Sequence, residues 1–378
     1  MTYTPTFTAL SRLLRPTSLA ALAMMAGPVA HAQSYSFSQL SGLPGALYAT
    51  PKGINASGQV VGTSYAPDGS SQAVVWNGST PTVLNALGGT KNQAMGINAT
   101  GQVVGLATSA DGSTTQAVVW NGGLATVLNS LGGPTSGAVG INGAGVIAGY
   151  SSAGTTPQAV VWNGTTPTAL SLPAGSGGVT VSGINDAGQV IGTSTAADSS
   201  GTSAVVWNGT APTVLASLGG SANEADGINN AAQVVGASTD ASGVQQAVLW
   251  NGTTPTVLNS LSGMGGTAYA INNLGQIVGE SASAGFGSSS AVLWNGSTTP
   301  IDLNTYLSPG DVAAGWQLIA ALGINDSGTI VGLDQNMTLG TLGVFELTPT
   351  PAPEPQTYAW LLSGLALLGV ARRRIGSR

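Results

Sequence analysis

The sequence contains no cysteine and a single histidine, His31, which lies near its N-terminus. Without cysteine there are no disulfide bonds and no thiolate metal sites. Without histidine in the body of the chain, Ser-His-Asp, Cys-His and histidine-metal sites are excluded there, and we expect no acid–base group to titrate near neutrality. We therefore predict a protein without catalytic residues, metal or cofactor, although a pair of carboxylates could still act as acid and base.

Charged side chains are scarce, at 6% of the chain against roughly 25% in ordinary domains. Between residues 33 and 351 two lysines, Lys52 and Lys91, stand against thirteen carboxylates, a formal charge of −11. Nucleic-acid binding rests on Lys and Arg side chains that neutralise phosphates, so this body should repel nucleic acid. It should also stay in solution and avoid anionic membrane surfaces.

The N-terminus has the layout of a secretory signal peptide. Two arginines form a positive n-region, a short apolar h-region runs from Ser18 to Met25, and a small-residue A-x-A site ends at Ala32. Such a segment directs export and is then removed. We predict a signal peptide over residues 1–32, with cleavage between Ala32 and Gln33.

The C-terminus carries a second processing layout. Proline occupies every second position of residues 349–355, which predicts a stiff extended linker. Within residues 356–378, an uncharged and mostly apolar run of fourteen residues extends from Tyr358 to Ala371. This run is shorter than the roughly 20 residues that span a bilayer core, and we predict a short apolar helix inserted in the inner membrane. The stop-transfer residues that follow on the cytoplasmic side are Arg372, Arg373 and Arg374.

Pro353, Glu354 and Pro355, followed by the apolar run and the arginines, resemble a PEP-CTERM sorting signal. The resemblance implies an exosortase-type membrane transpeptidase that recognises the motif and processes the tail. It also implies export to the cell envelope or extracellular surface of a Gram-negative bacterium that makes exopolysaccharide and biofilm. It leaves open whether the tail is cleaved or retained, and it implies an address, not an activity.

The body of the chain is one unit repeated seven times, marked by an Ile-Asn pair in the pattern G-I-N-x-x-G-x-V-V-G. The pairs begin at Ile54, Ile97, Ile141, Ile184, Ile228, Ile271 and Ile324. Their spacing is 43 or 44 residues except for the last, which is 53. A period in the low forties is typical of propeller blades or of helical repeats. The helix formers Glu, Lys, Arg and Met are scarce and glycine interrupts every helical period, so helical repeats are excluded.

Each unit predicts four short strands. The A-V-V-W run is β-branched and aromatic, the Asn-Gly after it predicts a two-residue hairpin turn, and the I-N and Q-V-V-G segments predict a second hairpin. Four strands in about 43 residues predict an all-β, seven-bladed β-propeller over residues 33–348, with a β-solenoid as the alternative. The N-terminal segment Y-S-F-S-Q-L should supply the fourth strand of the last blade and so hide two strand edges.

The I-N-x-x-G-x-V-V-G and L-x-x-L-G-G motifs also resemble the HAF family of extracellular repeats, over residues 35–348. The short motif after which that family is named is replaced here by Gln-Ala-Val, as at Gln72, Ala73 and Val74. The resemblance supports a repeat fold and implies no biochemical activity.

Carboxylates and tryptophans are the candidates for function. Most carboxylates, such as Asp186 and Asp326, lie at turn positions and are explained by turn preference. Glu224 and Asp226 form the tightest acidic pair, and we expect them in a solvated loop. Trp316 lies in the stretch that lengthens the last spacing and is the best candidate for an exposed ligand contact. Six other tryptophans share one strand position and should pack between blades: Trp76, Trp120, Trp162, Trp207, Trp250 and Trp294.

The sequence thus favours an exported, non-catalytic protein of the cell surface or matrix that binds or scaffolds exopolysaccharide or protein. Two alternatives remain, a glycan-binding lectin and a carboxylate-dependent carbohydrate-active enzyme. An exposed tryptophan in a groove would favour the lectin. Two carboxylates about 5–10 Å apart in a central cleft would favour the enzyme.

Overall fold

The computed structural model describes residues 34–154, 156–282 and 289–350. Within it, Tyr35–Pro349 form one compact unit. The predicted signal peptide, the Pro-Glu-Pro motif, the C-terminal apolar helix and the three arginines lie outside the described residues. In the described part, no helix is long and apolar enough to cross a membrane.

The regular secondary structure of the described chain is almost entirely β-strand. In chain order they are β1 (Ser34–Leu40), β2 (Tyr48–Ile54), β3 (Val60–Tyr65), β4 (Ser71–Trp76), β5 (Pro81–Val83), β6 (Gly88–Ile97), β7 (Val103–Ser109), β8 (Thr115–Asn121), β9 (Leu124–Val127), β10 (Ser136–Ile141), β11 (Ile147–Ala153), β12 (Thr156–Asn163), β13 (Thr166–Ala169), β14 (Ser176–Ile184), β15 (Val190–Ala196), β16 (Thr202–Asn208), β17 (Ala211–Val214), β18 (Gly219–Ile228), β19 (Gln233–Asp240), β20 (Gln245–Asn251), β21 (Thr254–Leu258), β22 (Gly266–Ile271), β23 (Gln276–Ala282), β24 (Ser289–Asn295), β25 (Ile301–Asp302), β26 (Trp316–Ile324), β27 (Ile330–Asn336) and β28 (Thr341–Thr350).

Two short helical elements interrupt this pattern, and both lie in the stretch that lengthens the last spacing. They are a 3-10 turn over Leu303–Tyr306 and a helix, α1, over Pro309–Ala313. Ser308 caps α1 in a capping box with Asp311, and Pro309 occupies the first turn. These are strong local start signals for a helix, so this stretch forms a helix although the repeats do not.

The strands form five four-stranded sheets and one eight-stranded sheet. Four of the smaller sheets each contain the consecutive strands of one repeat, for example β10-β11-β12-β13, with antiparallel neighbours. The eight-stranded sheet combines the strands of the first two repeats, which meet in one parallel pair between Ser71 and Lys91. The four-strand unit read from the sequence is therefore present in these repeats.

The remaining sheet joins the two ends of the described chain. Its strand order is β1-β28-β27-β26, so the N-terminal strand supplies a fourth strand to the last repeat, as the sequence predicts. Tyr35 and Leu40 of β1 are buried, and Gln39 Nε2 donates a hydrogen bond to the carboxylate of Asp334 in β27. This pairing covers the edge of β28, which could otherwise template aggregation.

The hydrophobic cores lie between neighbouring sheets. Val60 and Val61 are consecutive in β3, and neither has exposed surface, so both faces of the sheet are covered. Val60 packs with Val331 and Val344 of the last repeat, whereas Val61 packs with Val103 of the second repeat. The strands of the first repeat therefore lie between those of the last repeat and those of the second.

Six tryptophans, one in each of the first six repeats, fasten their repeat to the strands that precede it around the fold. All are at most 1% exposed, and each indole Nε1 donates to a backbone carbonyl just after the preceding fourth strand, at 2.6–3.0 Å. Trp207, for example, donates to the carbonyl of Ser171 at 2.8 Å. These tryptophans are buried at one equivalent strand position, as the sequence predicts. In the last repeat Leu347 takes the tryptophan's place, because it pairs with Ile330 as Trp76 pairs with Val60.

The two-residue hairpin turns lie one residue later than the sequence predicts. In the third repeat Asn163 still pairs with Thr166, so the turn consists of Gly164 and Thr165. Gly164 has a φ of 71°, which fits a turn that needs glycine at its first central position. The asparagine therefore extends the strand. In the first repeat the connection is longer and covers residues 77–80.

Candidate functional site

The asparagines of the seven Ile-Asn pairs form a continuous series of hydrogen bonds. Each Nδ2 donates to the backbone carbonyl of the equivalent asparagine in the next repeat, at 2.9–3.2 Å. The last bond, from Asn325 to the carbonyl of Asn55 at 3.0 Å, returns from the seventh repeat to the first. The members, all at most 6% exposed, are Asn55, Asn98, Asn142, Asn185, Asn229, Asn272 and Asn325.

The amide oxygen of each asparagine accepts hydrogen bonds within the hairpin that the asparagine begins. Oδ1 of Asn55 accepts hydrogen bonds from the backbone N–H groups of Ser57 at 3.1 Å and Gln59 at 2.9 Å. The same pair of bonds recurs in other repeats. Asparagine carries a donor and an acceptor on a short stem, whereas aspartate would lack the donor that reaches the next repeat. This double use explains why the chain repeats Ile-Asn so strictly.

The Ile-Asn pairs surround a cavity of about 260 Å³ to which all seven repeats contribute. Its lining consists of the seven isoleucines, six of the asparagines and the residue that follows the asparagine in each repeat. The isoleucines form an apolar wall. The following residues are exposed and form the mouth of the cavity.

The residues at the mouth differ between repeats, and this breaks its symmetry. The first three repeats have Ala, Ala and Gly there, whereas the last four have Asp186, Asn230, Asn273 and Asp326. Asn230 Nδ2 donates to Asp186 Oδ2 at 2.7 Å, and Asn273 Nδ2 donates to Asp326 Oδ2 at 2.8 Å. The mouth therefore has a polar half and a half of small residues. The sequence identifies these aspartates as turn residues but not as neighbours around one cavity.

The first strand of every repeat contains a register shift of the β-bulge type, one residue before the Gly-Ile or Ala-Ile that leads into the asparagine. Bulges redirect a side chain and are frequent near functional sites. The residues inserted at this position are Lys52, Met95, Val139, Ser182, Asp226, Tyr269 and Leu322. The repeat is thus regular in backbone here but varied in side chain.

Among the bulged residues, Asp226 is a half-buried carboxyl. Burial, and then the charge of Glu224, raises the pKa of Asp226 to about 7. In the next repeat Tyr269 donates a hydrogen bond to Glu280 Oε1 at 2.9 Å. The expectation that Glu224 and Asp226 lie in a solvated loop is wrong, because both belong to strand β18. Packing of the repeat overrides the low strand preference of acidic residues.

A second carboxyl with a raised pKa lies in the sheet that joins the chain ends. Asp334 has no exposed surface, accepts a hydrogen bond from Gln39, and has no hydrogen-bond partner for Oδ1. Burial raises the pKa of Asp334 to about 7, against a smaller lowering by the Gln39 bond. The expectation that no group of the body titrates near neutrality is therefore wrong at Asp226 and Asp334. At the position of Asp334 most other repeats have a serine, such as Ser238, and that difference was the available signal.

The exposed turn carboxylates serve their own loops. Asp111 accepts hydrogen bonds from the Ser109 hydroxyl at 2.6 Å and the Ser113 N–H at 3.0 Å, and these bonds lower the pKa of Asp111 to about 2. The turn interpretation is confirmed for Asp111, as it is for Asp68 and its bond from the Ser70 N–H at 2.9 Å. Across the described ranges, no three His, Cys, Asp or Glu side chains are grouped so that they could hold a metal ion.

Trp316 opens strand β26 and is half-buried. Its ring lies 6.4 Å from the ring of Phe37 in β1, centroid to centroid, and packs against the core of the last sheet. Part of the indole is therefore taken up by the sheet that joins the chain ends. Its role as a ligand contact stays a prediction.

Residues 351–375 match the family model described as the PEP-CTERM protein-sorting motif. The chain therefore carries this sorting signal at the positions that the sequence indicates, including Glu354 and the three arginines. The motif is recognised by exosortase and marks an exported protein that is processed at the membrane. Among the curated proteins, none is significantly similar to the chain. The resemblance to HAF repeats stays a prediction.

Several solved structures are distantly similar to the chain. AofleA from Arthrobotrys oligospora is 12% identical, with a TM-score of 0.41 over 72% of this chain and 90% of that one. The six-bladed β-propeller lectin of Aleuria aurantia is 11% identical, with a TM-score of 0.36 over 85% and 97%. A gluconolactonase from Xanthomonas campestris is 9% identical, with a TM-score of 0.35 over 84% and 97%.

Proposed function

We propose that the chain is an exported, non-catalytic component of the Gram-negative cell surface or extracellular matrix, delivered by its C-terminal sorting motif. The observation that carries this proposal is the match of residues 351–375 to the PEP-CTERM motif. The acidic body, with its formal charge of −11 between residues 33 and 351, suits a released, water-soluble protein. Its role in the matrix is to bind or scaffold exopolysaccharide or protein.

The body that is delivered is, in this proposal, a closed seven-bladed β-propeller. Three observations support it: the asparagine series returns from Asn325 to Asn55, Val60 packs against Val331 of the last repeat, and β1 completes the last sheet. Each repeat would then be a blade, and the cavity between the Ile-Asn pairs would lie on the propeller axis. Propellers leave only short, protected edges, which suits a protein that must persist outside the cell.

The sorting step can be tested in the native host. Changing Glu354 to Ala should leave a full-length, membrane-held precursor, whereas changing Gln356 to Ala, just after the linker, should leave processing unchanged. Cell fractions would be probed with an antibody against the body, and the released protein would be sized by mass spectrometry. Mature wild-type protein that stays in the membrane fraction and still carries Tyr358 to Arg378 would mean that the tail is a permanent anchor and that the sorting proposal is wrong.

The strongest alternative is a carboxylate-dependent carbohydrate-active enzyme, because Asp186 and Asp326 both line the cavity mouth. Each of these carboxylates already accepts a hydrogen bond from a neighbouring asparagine amide and another from a backbone N–H. That arrangement favours a structural use. Incubation with a panel of polysaccharides should therefore release no reducing ends. Turnover that Asp186→Asn or Asp326→Asn abolishes would establish the enzyme instead.

A further inference from the structure

Four of the seven repeats tie the mouth of the cavity together in the same way. The backbone N–H of the residue after the asparagine donates to a side-chain oxygen of the equivalent residue in the next repeat. Gly143 donates to Asp186 Oδ1 at 2.8 Å and Asp186 to Asn230 Oδ1 at 2.9 Å. Asn230 then donates to Asn273 Oδ1 at 2.9 Å and Asn273 to Asp326 Oδ1 at 2.8 Å. An oxygen atom thus occupies the place opposite each of these four N–H groups.

The other three N–H groups have no such oxygen. They belong to Asp326, Ala56 and Ala99, which are consecutive around the mouth because the asparagine series returns from Asn325 to Asn55. The residues that would have to supply the oxygen are Ala56, Ala99 and Gly143, and none has a polar side chain. Within the described ranges these three N–H groups have no protein acceptor, and their residues are exposed. We call this part of the mouth the open arc.

The three free N–H groups are oriented like the four bonded ones. Each hairpin is closed by the same backbone bond, from Asn55 to Gln59 at 3.0 Å, from Asn98 to Gln102 at 3.0 Å, and from Asn325 to Thr329 at 3.1 Å. Equivalent hairpins, such as that of Asn229 at 3.1 Å, carry the bonded groups. The open arc therefore presents three neighbouring donors, each facing a place that elsewhere in the ring holds an oxygen.

We propose that the open arc binds one uncharged, hydroxyl-bearing sugar ring, whose oxygens accept hydrogen bonds from the N–H groups of Asp326, Ala56 and Ala99. This deepens the proposed function, since it rests on polysaccharide as the partner and assigns the site. The adjoining wall of Ile54 and Ile97 is apolar and offers a surface for the C–H groups of a sugar ring. Hydroxyl groups both donate and accept, so the carboxylate of Asp186 at the end of the arc can accept from the same ring.

Charge and size narrow the ligand class. The body carries a formal charge of −11 between residues 33 and 351, and Asp186 and Asp326 border the open arc, so an anionic ligand is repelled. Pockets for drug-sized ligands begin at about 300 Å³. A cavity of about 260 Å³ therefore suits one ring at a chain end or side branch more than a length of polymer.

Two substitutions can supply the open arc with the side-chain oxygens that it lacks. Ala56→Asn combined with Ala99→Asn supplies the amide oxygens that Asn230 and Asn273 supply elsewhere, without changing the charge. These oxygens should take the N–H groups of Asp326 and Ala56, so the variant should fold with an unchanged or higher melting temperature. Ala144→Asn is the control, because Ala144 is exposed in an equivalent hairpin but does not line the cavity.

Binding would be measured by saturation-transfer NMR and calorimetry on the full chain in detergent, with D-glucose, D-galactose, D-mannose and N-acetyl-D-glucosamine as neutral probes and D-glucuronate as the anionic one. We expect at least one neutral sugar to saturate the wild type and Ala144→Asn equally. The double variant should bind it at least tenfold more weakly, and glucuronate should bind less tightly than the neutral sugar. Equal binding by the double variant, or tighter binding of glucuronate, would overturn the proposal.

The experiments distinguish a failure of the open-arc proposal from a failure of the proposed function. If the wild type binds the host exopolysaccharide and the double variant binds it equally well, the open arc is wrong and the matrix role stands. If the wild type binds no sugar and no exopolysaccharide, sugar binding at the open arc and polysaccharide as the partner are both wrong. Sorting is read separately from the Glu354→Ala experiment, so neither result bears on export.

Discussion

Six junctions between neighbouring repeats are fastened alike, and the junction between the sixth and seventh repeats is not. At a regular junction a buried indole donates to a backbone carbonyl of the preceding repeat, as Trp207 does to Ser171 at 2.8 Å. At the irregular junction Leu347 replaces the indole, and Asn304 makes two bonds to Leu318 instead. Its Oδ1 accepts from the Leu318 N–H at 2.8 Å, and its Nδ2 donates to the Leu318 carbonyl at 3.0 Å.

The comparison teaches that a junction needs a polar bond between sheets more than it needs a tryptophan. Asn304 is held in the 3-10 turn of the long last connection, so the insertion supplies the bond that Leu347 cannot make. The same last sheet takes β1 from the other end of the described chain. Its fourth strand is not held by a hairpin, so closing it costs the entropy of a very long loop. We expect this sheet to open before the regular ones.

Removing β1 should cause the largest loss of stability, because the last sheet depends on it for its fourth strand. Deleting residues 34–41 takes away the buried side chains of Tyr35 and Leu40 and exposes the edge of β28. Losing two buried side chains costs several kcal/mol, on the order of the whole stability of a domain. We expect thermal unfolding at a much lower temperature together with aggregation, and Ser38→Ala, an exposed change in the same strand, should have no effect. An unchanged melting temperature would refute the closing role of β1.

The next largest loss of stability should come from removing the buried side chain at a junction, either the indole of a regular junction or the leucine of the irregular one. Trp207→Ala should cost about 3–5 kcal/mol and Leu347→Ala about 2–5 kcal/mol, because both side chains are fully buried. Asn304→Ala should lower the unfolding free energy as well, because it leaves the backbone N–H and carbonyl of Leu318 without the Asn304 side chain as partner. Urea unfolding of each variant gives these values. If Asn304→Ala costs nothing while Leu347→Ala costs as much as Trp207→Ala, the amide does not replace the indole.

The asparagine series tests whether the ring is closed. Asn142→Ala lies within the series and Asn325→Ala at its return to the first repeat, and each removes a buried donor and an acceptor for its own hairpin. Unsatisfied buried partners cost about 1–3 kcal/mol, so both variants should lose about that much unfolding free energy. A cost for Asn142→Ala alone would indicate that the last and first repeats are not fastened in solution.

Stability should depend on pH through two carboxyls with raised pKa values, the half-buried Asp226 and the buried Asp334. Burial raises the pKa of Asp226 and of Asp334 from 3.8 to about 7, so between these values the folded state binds more protons than the unfolded state. Unfolding free energy should therefore fall as pH rises from about 4 through 7. Asp334→Asn should flatten this slope and stabilise the protein at pH 8 by about 1–3 kcal/mol. The urea midpoint at pH 5 and pH 8 measures it; a wild type that is more stable at pH 8 would contradict the assignment.

Trp316→Ala should have the smallest effect on stability. The side chain is half-buried and contacts Phe37 from one side, so the cost should be about 1 kcal/mol, well below that of Trp207→Ala. Thermal unfolding compares the two variants, and sugar titration of Trp316→Ala tests the ligand contact directly. A loss of stability equal to that of Trp207→Ala would mean that the indole serves the last sheet alone.

Most of the fold could be predicted from the sequence because the hairpins form between residues that are close together along the chain. The Ile-Asn spacing, the A-V-V-W runs and the turn glycines specify hairpins within one repeat, and seven copies give the same answer seven times. The shift of the turn by one residue could not be read from Asn163-Gly164, since both positions tolerate the turn and only the register with Thr166 decides. The helix α1 has a clear capping signal in Ser308, Pro309 and Asp311, but that signal lies outside the repeat pattern from which the strands were predicted.

By itself the sequence determined the repeat, the strand order within it, the burial of the six tryptophans, the use of β1 as a fourth strand, and the sorting motif. Tertiary structure alone decided which residues of different repeats become neighbours. Asp334 gains its raised pKa from burial beside Gln39, which lies near the other end of the described chain. The free N–H groups of Ala56 and Ala99 follow from what the next repeat lacks. A pKa and an unpaired donor depend on surroundings in space, and spacing along the chain does not contain them.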